Sequence, residues 1–170
     1  MDEEIRPRKK RYEWEAQYVA DYVATRYPSI PCRLHARLGT PPEPLSAEEL
    51  EPEERNMLRV KMRWADAIVF LPDRTVVIEG KLRASELLKA LGELELYIHL
   101  LPLTPDYRSL IAPRLEGQIL TPISDPTVEA LCRRKGFSMV VWSPPWLNEY
   151  LAQIPKRERR AIRPEESAMI

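Results

Sequence analysis

The chain is poor in the residues from which most catalytic centres are built. It holds two cysteines and two histidines in 170 residues. Cys32 and Cys132 lie far apart with no CxxC partner. That excludes a cysteine-ligated zinc site and a disulfide framework, and reads as two buried thiols in a reducing compartment. His35 and His99 have ligand spacing neither to each other nor to a cysteine, and read as surface or internally satisfied side chains. Only five glycines are present. No GxxxxGK[ST], GxGxxG, GxSxG or HExxH occurs, so phosphate-loop, dinucleotide, serine-hydrolase and zincin chemistry find no support. No apolar run approaches the roughly 20 residues that a membrane helix needs. The opening MDEEIRPRKKR has no apolar core of a secretory signal, so a secreted protein is not expected. Net charge is zero, with 26 basic and 26 acidic residues, so no bulk attraction to a polyanion follows.

What the chain does have is proline, arginine and an uneven charge pattern. Basic residues cluster in 1–11 and in 156–170, and glutamates in 43–54. The division this predicts is a flexible basic arm at 1–11, a single domain over 12–155 with a Pro/Glu-rich excursion at 39–56, and a basic tail at 156–170. Basic ends either solubilise the protein or touch nucleic acid. Trp14, Tyr18, Val19, Tyr22 and Val23 recur at helical spacing over 12–27, and Pro28 stops that helix. Residues 30–38 alternate Ile30, Cys32, Leu34, Ala36 and Leu38 against Arg33, His35 and Arg37, the signature of a half-buried strand. In the excursion, Ser46-Ala-Glu-Glu has the form of a capping box. Two further strands, 57–71 and 75–82, flank a turn at Pro72, Asp73 and Arg74. A helix over 84–101, with Ser85 as its N-cap and Pro102 as its stop, follows. A strand at 116–123, a helix at 125–135 opened by Asp125-Pro126, a strand at 137–142 and a helix at 146–153 complete the chain. The order α-β-β-β-α-β-α-β-α predicts a small mixed β-sheet flanked by helices, an α/β fold.

The hairpin over 57–82 carries the chemistry. With a two- or four-residue loop centred on Pro72 and Asp73, Asp66 falls opposite Glu79 and Trp64 opposite Lys81. Opposed residues share a face, and Glu79 and Lys81 share one because side chains alternate. Asp66, Glu79 and Lys81 therefore converge, on the face that also carries Val60, Met62, Trp64, Ile68 and Phe70. The other face carries Arg59, Lys61, Arg63, Ala65 and Ala67. Two carboxylates on an apolar face lose hydration and repel, so one must take a proton, pair with Lys81, or share a cation. A hard divalent cation suits two carboxylates plus water. A plain ion pair of Lys81 with either acid is the competing reading.

The run from Asp66 to Glu79-Gly80-Lys81 resembles the D…(D/E)xK signature of the PD-(D/E)xK nuclease superfamily, and the α-β-β-β-α-β order is similar to that family's restriction-endonuclease-like core. Glu93-Leu94-Glu95-Leu96-Tyr97 is similar to the QxxxY motif of the RecB-like and Cas-type exonuclease branch, with Glu93 in place of Gln and no histidine at the branch's first motif. The resemblance covers roughly residues 12–142. It implies catalytic residues Asp66, Glu79 and Lys81, and Mg2+ or Mn2+ held by Asp66 and Glu79. It implies a further metal ligand in the first helix, for which Glu15 is the candidate over Glu13, and substrate contacts from Tyr97 and Glu93. The activity implied is endonuclease or exonuclease hydrolysis of DNA, in a cytoplasmic or phage-associated protein. The alternative is a non-catalytic structural or interaction module on a nuclease-like fold, for instance in a phage particle or a DNA-processing complex. For that reading, Trp142-Ser-Pro-Pro-Trp146 is a candidate patch for a protein partner or homo-oligomer, its duller role being to lock a strand end onto the last helix.

Overall fold

The structure, a computed structural model, describes residues 10–39 and 63–157. The expected capping box at Ser46, most of the Pro/Glu-rich excursion and the start of the 57–71 strand lie outside the described residues. The elements are α1 (Arg11–Arg26), β1 (Cys32–Leu38), β2 (Arg63–Phe70), β3 (Thr75–Gly80), α2 (Leu87–Leu100), β4 (Leu115–Thr121), α3 (Pro126–Arg134), β5 (Ser138–Val141) and α4 (Leu147–Gln153). They form a mixed α/β fold with one five-stranded sheet in the order β1-β2-β3-β4-β5. The first two pairings are antiparallel and the last two parallel. The parallel pairs follow from helical crossovers, as parallel strands require. Among the described residues no helix is long and apolar enough to cross a membrane.

Local chemistry explains most boundaries. The Asp125 carboxylate accepts from the backbone N–H groups of Thr127 and Val128, and Pro126 occupies the first helical turn of α3. The α2 helix starts differently from its sequence signal. Ser85 is exposed inside a 3-10 turn, Ala84–Glu86, and caps nothing. The turn instead delivers Glu86 to an ion pair with Arg11. Arg11 is thus the first residue of α1 and part of the domain, not of a free arm. Cys132 is buried as expected, but Cys32 is exposed on the edge strand, where no helix of the described residues covers it; both are free thiols.

The sheet is covered on both faces at its centre. Ala65, Ala67, Ile68 and Val69 of β2 and all six residues of β3 are buried. The face of β2 that the sequence groups with Arg59, Lys61 and Arg63 is therefore interior at Ala65 and Ala67. Small side chains at Ala65 and Ala67 let α1 approach one face, while Ile68 packs towards α2 on the other.

The Trp142–Trp146 segment is spent on this packing. Trp146 lies 5.0 Å from Trp14 with its ring tilted by 36°, and Trp142 lies 5.4 Å from Tyr18 and 5.5 Å from Tyr22. The Tyr18 hydroxyl donates to the Trp142 carbonyl at 2.7 Å, and Trp146 Nε1 donates to Asp21 at 2.6 Å. These contacts fasten β5 and α4 to α1, so in this fold the segment serves as an internal lock.

At Gly80 the α1 helix lies against the strand. A Cβ there would stand 2.5 Å from Val19 Cγ2. Val19, branched at Cβ on a helix, has one favoured rotamer and cannot turn aside cheaply. Gly80→Ala is therefore expected to destabilise the protein by about 1–3 kcal/mol in urea unfolding. The Gly80→Ala/Val19→Ala double variant should lose less than the sum of the two single losses, because the clash has been removed.

Candidate active site

The β2–β3 hairpin sets the site's geometry through its register. Phe70 pairs with Thr75 and Ala67 with Ile78, around a four-residue loop closed by Leu71 N–H donating to the Arg74 carbonyl at 3.0 Å. One step beyond the last pair, Asp66 and Glu79 face each other, as the sequence predicts. There the ladder gives way to side chains. Asp66 Oδ2 accepts from the Gly80 backbone N–H at 2.8 Å. Lys81, whose own N–H continues the pairing to the Leu120 carbonyl at 2.9 Å, keeps the strand extended. Alternation sends Gly80 towards α1 and sends Glu79 and Lys81 to the other face, under α2.

On that face Lys81 Nζ lies 2.6 Å from Glu79 Oε1 and 2.9 Å from Glu93 Oε2. Glu93 and Tyr97, one turn apart on α2, present the same side to the hairpin. Both Glu79 and Lys81 are buried, at 5% and 8% exposure, and Tyr97 at 6%. Glu15 approaches from α1, held by Arg11 at 3.3 Å. Its neighbour Glu13 is exposed and turned back onto the Lys10 backbone N–H, so Glu15 is the acid of α1 that faces the site. The structure thus brings together Asp66, Glu79, Lys81, Glu93, Tyr97 and Glu15.

Electrostatics at this point are unbalanced. Burial, then the charge of Asp66, pushes the Glu79 carboxyl up to about 9, and Lys81 only partly opposes it. Burial likewise raises Asp66, against the Gly80 N–H and Lys81, which favour its ionised form. Such a pair titrates as a unit, and it retains a proton near neutral pH. Glu93 goes the other way: although burial opposes it, the hydrogen bond and charge of Lys81 lower it, so it stays ionised. Lys81 is raised, since its acidic partners outweigh its burial, and remains an ammonium. Burial and the neighbouring carboxylates raise Tyr97, so its phenol keeps its proton. The second Glu79 oxygen, Oε2, is buried with no N–H donor on it, and the Glu79 carboxyl shares a hydrogen bond with Glu93.

Sequence reasoning missed Arg11 and Glu86, which pair at the α1 edge of the site. The signal was present in the helical spacing of Arg11 to Glu15, but the basic run at 6–11 made Arg11 read as part of an arm. Lys89 lies 3.5 Å from Glu93 but is largely exposed, and Glu95 pairs with Lys135 at the C-cap of α3, so neither joins the cluster. His99 is exposed, and so is His35.

Among the described residues no group of three or more His, Cys, Asp or Glu side chains is arranged to hold a metal ion, and Lys81 lies between Glu79 and Glu93. The donor chemistry of Asp66 and Glu79 nonetheless fits a hard cation. Both offer carboxylate oxygen, and with both ionised the pair would carry more negative charge than Lys81 alone offsets. No family model matches this chain, and no curated protein or solved structure matches it either.

A stability prediction follows from the raised carboxyls. A carboxyl whose folded pKa lies above its unfolded value contributes stability at low pH and loses it as pH rises through the folded value. For Glu79 that window runs from the ordinary carboxyl value of 4.5 to about 9. With divalent ions chelated, the melting temperature should fall as pH rises through this range. Glu79→Gln should flatten that decline, measured by thermal denaturation across the pH series.

Proposed function

We propose that the protein is a metal-dependent nuclease that hydrolyses DNA phosphodiester bonds at the Asp66/Glu79/Lys81 site. The observation that carries this reading is the pair of neighbouring carboxyls on adjacent strands, Glu79 buried and Asp66 half-buried, with a lysine two residues beyond Glu79. That arrangement agrees with the resemblance to the PD-(D/E)xK nucleases in its residues, its spacing and its element order.

Asp66 and Glu79 would hold Mg2+ or Mn2+, with Glu15 the nearest further acid on α1. Bound there, the ion would supply an acidified water and positive charge for the phosphate. The chain's own groups divide the remaining work. The Gly80 N–H fixes one Asp66 oxygen, so the other is free to point outward. Lys81 remains protonated and can stabilise negative charge as it develops on the phosphate. Glu93 holds the ammonium in place, and Tyr97 keeps its phenol as a neutral hydrogen-bond donor to substrate. A location among other DNA-processing components, in the cytoplasm or in a phage particle, would suit this activity.

One observation favours a second reading. The Lys81 ammonium bridges the Glu79 and Glu93 carboxyls directly, as in a structural ion-pair network. On that reading the fold is a non-catalytic interaction module. Incubation with linear and circular DNA plus Mg2+ or Mn2+ separates the two. The nuclease reading expects cleavage that falls at least about a hundredfold in Asp66→Ala and in Lys81→Ala. It also expects millimolar Mn2+ to raise the melting temperature of the wild type, and not that of Asp66→Ala. A folded protein that neither cleaves DNA nor gains stability from the cation is the module.

A further inference from the structure

We propose that the outer strand β1, together with Trp64, forms a platform on which a single strand of DNA lies as it approaches the acids; the identity of the strand rests on the nuclease reading. The register places the residues concerned on one face. Trp64 is two residues before Asp66 on β2, and so shares its face. Arg37 is the direct partner of Trp64, and Arg33 that of Ile68, which also lies on the Asp66 face. Between the pairs Leu34–Ala67 and Ala36–Ala65, His35 falls opposite Asp66 itself.

His35 departs from its strand. Its φ of 48° is in the left-handed region, which non-glycine residues seldom enter. Its imidazole lies flat on Trp64, with ring centres 4.4 Å apart and planes 10° apart. The stacked pair is nevertheless open to solvent: Trp64 is 41% exposed, and His35, Arg33 and Arg37 are all exposed. Neither arginine has an acidic partner among the described residues. Among the described residues, the α2 helix packs chiefly on β4, β3 and β2 rather than on β1.

Two guanidinium groups flanking a flat aromatic pair match the chemistry of a single strand. Phosphates meet the cations, and unpaired bases stack on the rings. A duplex hides its base faces and offers the platform only its phosphates. The chain as a whole is neutral, so this local charge is what favours a polyanion here.

The test measures binding without cleavage. Fluorescence anisotropy of an oligodeoxythymidylate of about 20 nucleotides, with divalent ions chelated, reports the platform alone. Trp64→Ala should weaken binding about tenfold, and Trp64→Phe should retain most of it. The Arg33→Glu/Arg37→Glu variant should bind more weakly and show a shallower dependence on salt. Circular dichroism and sedimentation of each variant keep folding and self-association in view. Wild-type binding by both Trp64→Ala and the double arginine variant would overturn the platform, and if the wild type still cleaves DNA, the nuclease reading stands without it. A change of oligomeric state in Trp64→Ala with unchanged DNA binding would also overturn it, by making the face a contact between copies. Binding that depends on Trp64 in a protein that does not cleave DNA would support the platform and remove the nuclease reading alone.

Discussion

The constraint on which the rest of the molecule depends is the charge balance at the end of the β2–β3 hairpin. Asp66, Glu79 and Glu93 bring three carboxyls to one buried spot, and Lys81 brings one ammonium. Removing a charge from water costs several kcal/mol unless a partner compensates it. Without a cation the deficit is met by a proton on the Asp66–Glu79 pair and by the lysine. Both are provisional in character, since a proton leaves as pH rises and an ammonium on a four-carbon stem can turn elsewhere. A divalent ion would replace the proton directly. The surrounding fold makes that exchange local: Gly80 anchors Asp66 through the backbone, and α2 anchors Lys81 through Glu93, so neither strand need move.

Gly80 links that balance to packing. Because it has no side chain, Val19 and Tyr18 of α1 rest against the strand at the point where Asp66 is gripped. The aromatic cluster of Trp14, Tyr18, Tyr22, Trp142 and Trp146 then fixes α1 to β5 and α4. The site therefore lies between a helix that is heavily anchored on one face and a helix that covers only part of the other. Rigid placement of acids on strands, rather than on loops, is what lets two repelling groups stay close.

The hairpin register was legible in the sequence because it follows from few quantities. Turn residues set the loop, the loop sets the pairing, and period-two alternation sets the faces, so Asp66, Glu79 and Lys81 could be brought together before any coordinates. Glu93 and Tyr97 were legible as one face of a helix. What escaped depended on neighbours distant in sequence. Ala65 and Ala67 looked like part of a polar face flanked by Arg63 and Lys61; only α1, lying across them, makes that face an interior. Cys32 reads as buried by alternation, yet it lies on an edge that no helix of the described residues covers. Arg11 resembles the basic run before it, and only the position of Glu86, delivered by the turn that displaces the expected Ser85 cap, brings it into the domain.

The open edge at β1 admits a plainer account, and the residues decide between the two. Edge strands are commonly protected by charge, so that other chains do not pair with them. Arg33 and Arg37 alone would serve that purpose. Protection does not require an exposed tryptophan, which adds apolar surface at the very edge to be defended, nor a histidine in a strained backbone region whose ring lies flat on that tryptophan. Strain is kept where the surroundings over-determine it, and such positions concentrate at functional sites. The strained residue here is in register with Asp66, on the same sheet face, beside the strands on which α2 chiefly packs. An edge built only against aggregation has no reason to place its one distortion there, whereas a surface that guides a polyanion towards two acids does.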